Sequence, residues 1–152
     1  MARSPWAAAV SYIARRDRSE AEMKSYLEKK GHSQCQIRET IERLHSVGLL
    51  DDRKLAEKWL SYCLRNRPVG RLKFSADLLS RGISREITDS VASQLDAETE
   101  RELARQLIER RRGYQWKRDK FYRFLAYRGF NPDIIMDLWR RLPSLDIHQQ
   151  KD

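Results

Sequence analysis

Apolar residues in this chain recur at four-residue steps that halt at a glycine and then resume, three times over. Met23 and Leu27 stand eight and four positions ahead of Gly31, Phe74 and Leu78 ahead of Gly82, and Phe121 and Leu125 ahead of Gly129. A step of four keeps side chains on one face of a helix, and a glycine at the end supplies the positive φ that a helix C-terminus often adopts. The pattern then restarts as Ile37, Ile41, Leu44, as Ile83, Ile87, Val91, Leu95, and as Phe130, Ile134, Leu138, Leu142. Ser33, Ser84 and Asn131 lie two residues past the glycines, where a side-chain oxygen caps a new helix, and Pro132 suits a first turn. Another helix precedes each pair, marked by Trp6, Val10, Ile13, by Leu55, Trp59, Tyr62, and by Leu103, Leu107.

The pattern predicts nine helices in an all-α fold, arranged as three tandem three-helix units over residues 7–48, 51–95 and 98–142, with a polar tail at 143–152. Ser19 with Glu22 has capping-box spacing, Asp51-Asp52 precedes a helix starting near Arg53, and Asp96 opens the third unit. A unit of this size buries too little surface to stand alone, so stacking into an elongated, curved array is expected. Composition agrees. Val and Thr are sparse beside Leu, Ala, Arg, Glu and Lys, which disfavours strands, and the 40% of apolar residues is enough for a thin core.

Charge narrows the function. There are 31 Lys and Arg against 22 Asp and Glu, a formal net charge of +9, which calls for an acidic or polyanionic partner. The turn after the first helix of each unit is basic: Arg15, Arg16, Arg18, then Arg65, Arg67, Arg71, then Arg110, Arg111, Arg112, Lys117, Arg118. Arginine at a helix C-terminus also offsets the helix dipole, which accounts for one or two residues per turn but not for the excess in the third. From Arg101 to Arg128, ten basic and three acidic residues leave +7 in 28 positions, interleaved with Tyr114, Trp116, Phe121, Tyr122, Phe124 and Tyr127. Cations mixed with aromatics suit single-stranded nucleic acid. Phe121 and Phe124 fall on the predicted core face, whereas Tyr114 and Trp116 flank a turn and are the candidate stacking residues.

Other chemistry is not provided for. The six glycines are too widely spaced for a phosphate-cradling loop, no cluster has zinc-ligand spacing, and Asp51 with Asp52 is explained by helix capping. No catalytic constellation and no cofactor site are expected, so the chain reads as a non-enzyme. No run approaches the length of a membrane span, and Trp6–Ile13 is too short for a signal peptide. A cytoplasmic protein with Cys35 and Cys63 as reduced, buried or half-buried thiols is expected. A monomer is expected too, because no helix carries a sustained heptad seam.

The segment Gly48-Leu49-Leu50-Asp51-Asp52, then Leu55-Ala56, Arg65, Gly70-Arg71 and Leu78-Leu79-Ser80-Arg81-Gly82-Ile83, resembles the RecX family of bacterial regulators of the RecA recombinase. Arg15-Arg16-Asp17-Arg18-Ser19 with Glu22, and Leu27 through Lys30-Gly31, are similar to that family's N-terminal unit, and the chain departs from its pattern at His32, Pro68 and Ala76-Asp77. The resemblance implies a protein that binds RecA and the RecA filament on single-stranded DNA and restrains strand exchange, ATP hydrolysis and co-protease activity in DNA repair and the SOS response. Direct contact with single- or double-stranded DNA belongs to the same expectation. The rival is a free-standing DNA-binding helical protein that acts by occupying DNA. Site residues under either reading are Arg65, Arg67, Arg71, Lys73, Arg81, Arg110, Arg111, Arg112, Lys117, Arg118 and Arg123, with Tyr114 and Trp116 for stacking.

Overall fold

A computed structural model describes residues 3–142, so the predicted tail at 143–152 lies outside the described residues. The described residues form nine α-helices and no strand, as the periodicity predicts: α1 (Pro5–Arg15), α2 (Glu20–Lys29), α3 (Gln34–Ser46), α4 (Asp52–Asn66), α5 (Arg71–Ser80), α6 (Arg85–Ala92), α7 (Ala97–Glu109), α8 (Arg118–Tyr127) and α9 (Pro132–Arg140).

The helix starts are closed by side chains. Ser19 Oγ accepts from Glu22 N–H while the Glu22 carboxylate accepts from Ser19 N–H, a complete capping box, and Ser33 with Gln36 makes a second. Ser84 accepts from Ile87 N–H, Asp96 from Thr99 N–H and Asn131 from Asp133 N–H. At α4 the division of labour differs from the expectation. Asp51 alone caps, accepting from Lys54 N–H at 3.0 Å, whereas Asp52 is already helical and accepts from Glu20 N–H at 2.9 Å, across to α2.

The three glycine turns are one repeated device. At Gly31, Gly82 and Gly129, with φ of 87°, 81° and 85°, the glycine N–H donates to the carbonyl three residues back (Glu28, Leu79, Ala126). The next N–H donates to the carbonyl five back (Leu27, Leu78, Leu125). That pair of bonds closes the helix with a left-handed residue and turns the chain sharply into the next helix. The residue after the glycine normally packs against the leucine five before it, and Ile83 and Phe130 are buried accordingly. His32 occupies this position in the first turn and is half-buried.

The chain divides into two compact units, Met1–Trp59 with Leu78–Thr88, and Leu60–Asp77 with Asp89–Asp152. In the first, α1, α2 and α3 pack on one another around Ala8, Ala9, Met23, Leu27, Ile37, Ile41, Leu44 and Leu50. Arg81 ties that unit together: its guanidinium donates to both Glu22 carboxylate oxygens (Nε at 3.1 Å, Nη2 at 2.8 Å) and to the Asp17 carbonyl, and its own carbonyl accepts from Ser19 Oγ. In the second, α7 and α8 both pack on α9. The turn ahead of α5 lies against the glycine turn after α8, with Gly70 N–H donating to Arg128 O at 2.8 Å and Leu72 N–H to Gly129 O at 3.1 Å. Gly70 has no special φ there. It is glycine because a Cβ would collide with the Gly129 carbonyl and Phe130 Cα. Glu100, 5% exposed, receives Arg71 N–H at 2.9 Å, and burial pushes its carboxyl up although backbone donors oppose the shift.

Candidate polyanion interface

Ten of the eleven basic residues singled out from the sequence lie in the second unit, and Arg81 lies in the first. Within the second unit α8 is the reference. Gly113, with φ 88°, turns the chain between α7 and α8, and Tyr114 N–H donates to Arg111 O at 2.9 Å. Trp116 anchors this turn. It is 1% exposed, with its ring edge-on to Tyr114 at 4.6 Å and to Phe121 at 5.5 Å and tilted against Phe124 at 5.1 Å. The expectation that Trp116 stacks on a ligand is therefore corrected. A buried indole ringed by aromatics offers no face, and its job is to hold the basic turn in place. Tyr114 keeps 37% of its surface.

Phe124, expected in the core, is half-buried and covered by cations. The Arg111 guanidinium carbon lies 4.5 Å from its ring centroid and that of Arg128 lies 4.0 Å away. Arg128 also donates to Phe124 O at 3.0 Å. Burial, and secondarily the charge of Arg111, hold the Arg128 guanidinium below the usual arginine range, and no carboxylate of the described residues pairs with either side chain. Two like charges held over one ring without an acid are a ready receptor for an oxyanion. Arg128 was absent from the candidate set. The Phe124 to Arg128 spacing of four was the signal that could have found it.

Arg118 and Arg123 come together differently, lining a shallow groove of about 520 Å³ with Asp119, Tyr122 and Met136. Lys117 and Lys120 adjoin them along the chain and Arg110 lines a separate groove with Glu102, Arg105 and Glu109; all three are exposed and make no ion pair among the described residues. Three other cations of the stretch are neutralised: Arg101 by Glu98 and Asp137, Arg105 by Glu102, and Arg112 by Glu109 at 2.8 Å. The second basic group sits at the C-terminal end of α8, because the turn carrying Arg71 packs on Gly129. Arg65 and Arg67 are exposed there, whereas Lys73 packs its backbone on Gly129 and faces Asp77 at 3.7 Å. Ten residues of helix separate Arg118 from Arg128, about 15 Å of rise, and Arg111 spans part of that gap by lying beside Arg128 over Phe124.

Arg81 is placed outside this interface by its own partners. Its side chain is 23% exposed and its donors are committed to Glu22 and Asp17 O, which makes it a structural clamp and not a phosphate contact. The cysteines also divide. Cys63 is buried, its thiol pushed up to about 11 by burial and by nearby Asp77, whereas Cys35 is exposed, contrary to expectation, and donates to Glu39. Among the described residues no cluster of His, Cys, Asp and Glu could hold a metal ion, and no helix is long and apolar enough to cross a membrane.

Residues 6–44 match the model of the RecX first three-helix domain. The regulatory protein RecX of Chlorobium phaeobacteroides is 34% identical over 131 residues, covering 85% of this chain and 87% of that protein. This chain belongs to the RecX family. The regulatory protein RecX of Clostridium botulinum is 26% identical over 93% of this chain and 69% of its own length. The crystal structure of RecX from Lactobacillus salivarius shares the RecX fold seen here, with a TM-score of 0.80 at 22% identity over 92% of this chain and 95% of that one. A second RecX crystal structure gives a TM-score of 0.76 at 20% identity. The relatives are named regulatory proteins, and the all-α fold expected from the glycine turns is the fold of the RecX crystal structures.

Proposed function

We propose that this chain is a cytoplasmic, non-enzymatic regulator that binds RecA and the RecA filament on single-stranded DNA and restrains its recombinase, ATPase and co-protease activities. The observation that carries the proposal is the set of exposed cations around the α7–α8 turn, Arg110, Arg111, Lys117, Arg118 and Arg123, none of which is paired with a carboxylate. Trp116 holds the backbone beneath them, so little ordering remains to be done when a polyanion docks. Such a surface can meet acidic protein and exposed phosphate in one encounter, and it favours rapid, salt-dependent association. Arg65, Arg67 and Arg71 extend the contact at the other end of α8. The three-unit organisation over 7–48, 51–95 and 98–142 and a monomeric state are part of the same proposal.

The test is capture of purified RecA by the immobilised protein, with and without single-stranded DNA, repeated with Arg110, Arg111 and Arg112 changed to alanine. Binding of RecA in DNA-free solution that the triple variant loses is the expected result. If RecA is captured in neither form, the RecA reading fails. If single-stranded DNA alone binds, with a log–log salt slope of about −4 for some six phosphates, the protein acts by occupying DNA.

A further inference from the structure

The first unit carries a second basic site, of which the charge pattern singled out only Arg15. A cleft of about 420 Å³ opens between α1 and α2, lined by Arg3, Ala8, Ser11, Arg15, Tyr26, Lys30 and His32. Arg3, Arg15, Lys30 and His32 bring four basic groups to it, Ser11 adds a hydroxyl, and no carboxylate lines it. None of the four makes an ion pair among the described residues. The helix dipole accounts for Arg15 at the end of α1, but it gives no reason for Arg3, Lys30 and His32 to converge on the same space.

Comparison of the three glycine turns shows that this chemistry is local to the first. At the position of Lys30 the second turn has Arg81, neutralised by Glu22, and the third has Arg128, laid over Phe124. Lys30 is held over Tyr26 at 5.5 Å, and the other face of Tyr26 is stacked on Tyr12, with centroids 3.8 Å apart and planes 3° from parallel. Arg18 closes that column at 3.8 Å from the Tyr12 ring. Tyr26 thus positions the ammonium group and has no face left for a base. At the position of His32 the other turns have buried Ile83 and Phe130, which seal the helix end, whereas His32 is half-buried and lines the cleft.

From these observations we infer that the cleft binds the sugar-phosphate backbone of a single-stranded nucleic acid, seating one nucleotide unit through its phosphate. The volume exceeds that of a lone oxyanion and suits a phosphate with its sugar, and four basic groups with one hydroxyl match the several acceptor oxygens of a phosphodiester better than the two of a carboxylate. Without an open aromatic face the site does not read bases, so binding is independent of sequence. The inference uses none of the residues of the α7–α8 turn and stands or falls apart from the RecA reading.

The experiment is a titration of the full chain with a short oligothymidylate and, separately, with inorganic phosphate, followed by backbone amide shifts and by fluorescence anisotropy of labelled oligothymidylate. Shifts at Ser11, Arg15, Lys30 and His32 are expected with the oligonucleotide. Arg15→Gln with Lys30→Gln is expected to weaken binding about fivefold to tenfold at low salt and to flatten the log–log salt slope by about 0.7, the value for one neutralised phosphate on a single strand. Arg15→Lys with Lys30→Arg is expected to retain binding, which separates lost charge from lost fold. The inference is overturned if the cleft amides do not move, if the glutamine pair leaves affinity and slope unchanged, or if inorganic phosphate moves them and the oligonucleotide does not. The Arg110, Arg111, Arg112 alanine variant should show the same cleft shifts whether or not it captures RecA.

Discussion

Arg81→Ala separates a structural arginine from an interface arginine, and the structure sets the size of the effect. The substitution removes two donors from Glu22, at 2.8 and 3.1 Å, and a third from Asp17 O at 2.9 Å, and leaves Glu22 in a half-buried site with the Ser19 N–H and a long ion pair to Arg16 at 3.9 Å. An exposed ion pair contributes about 0–1 kcal/mol, and breaking a fully buried one costs about 3–5 kcal/mol. With the two side chains 23% and 22% exposed, a loss of about 2–3 kcal/mol is expected, which at this chain length lowers the thermal midpoint by about 8 °C. Urea unfolding followed by circular dichroism measures the loss, and a double-mutant cycle with Glu22→Gln isolates the pair with an expected coupling of about 1–2 kcal/mol. Oligonucleotide and RecA affinity of the folded variant should match the parent. A stability change below about 0.5 kcal/mol, or an affinity loss as large as that of the Arg110, Arg111, Arg112 variant, would refute the clamp and return Arg81 to the interface.

Three further outcomes are expected. Gly70→Ala must move backbone, because the Gly129 carbonyl and Phe130 Cα occupy the space of the new Cβ, so a loss of about 3 kcal/mol is expected in urea unfolding. Gly31→Ala, with open space around it and only a positive φ to violate, should lose about 1–2 kcal/mol, and equal losses would show that close approach is not what selects Gly70. Burial pushes the Glu22 carboxyl up, but donation from Arg81 and Ser19 outweighs it and holds the group below its ordinary 4.5. The stability it contributes is therefore complete above that value and disappears as pH falls through the lower folded one. Wild type should exceed Glu22→Gln at pH 6 and converge with it in acid, so a constant difference across a pH series of unfolding curves would contradict the assignment. Iodoacetamide should modify exposed Cys35 promptly and Cys63 only on unfolding, as mass spectrometry of the native and urea-treated protein will show.

Helix number, order and most of the helix ends were legible in the residues because the interactions that set them are local. A capping box spans four residues and a glycine turn six, so Ser19 with Glu22 and Leu27 through His32 carry their geometry in the sequence itself. The one displaced cap, at α4, is where a remote donor intervened: Asp52 is taken by Glu20 N–H, 32 positions away. Candidate site residues were legible as a local excess of arginine and no further. Whether a cation is available depends on which carboxylate or ring it meets: Arg105 and Arg112 meet glutamates three residues away, but Arg81 meets Glu22 and Arg111 meets Phe124 from elsewhere in the chain.

Sequence alone therefore determined helical repeats, each closed by glycine, and a net charge of +9 from which an acidic partner is expected. Tertiary structure decided the rest. It neutralised Arg81 with a glutamate 59 positions away, buried Trp116 under the turn it was expected to decorate, drew Arg128 beside Arg111 over one ring, and gathered Arg3, Arg15, Lys30 and His32 around one cleft. The physical reason is that backbone hydrogen bonds in helices and turns close within a few residues, whereas burial and charge pairing depend on which faces of distant segments meet.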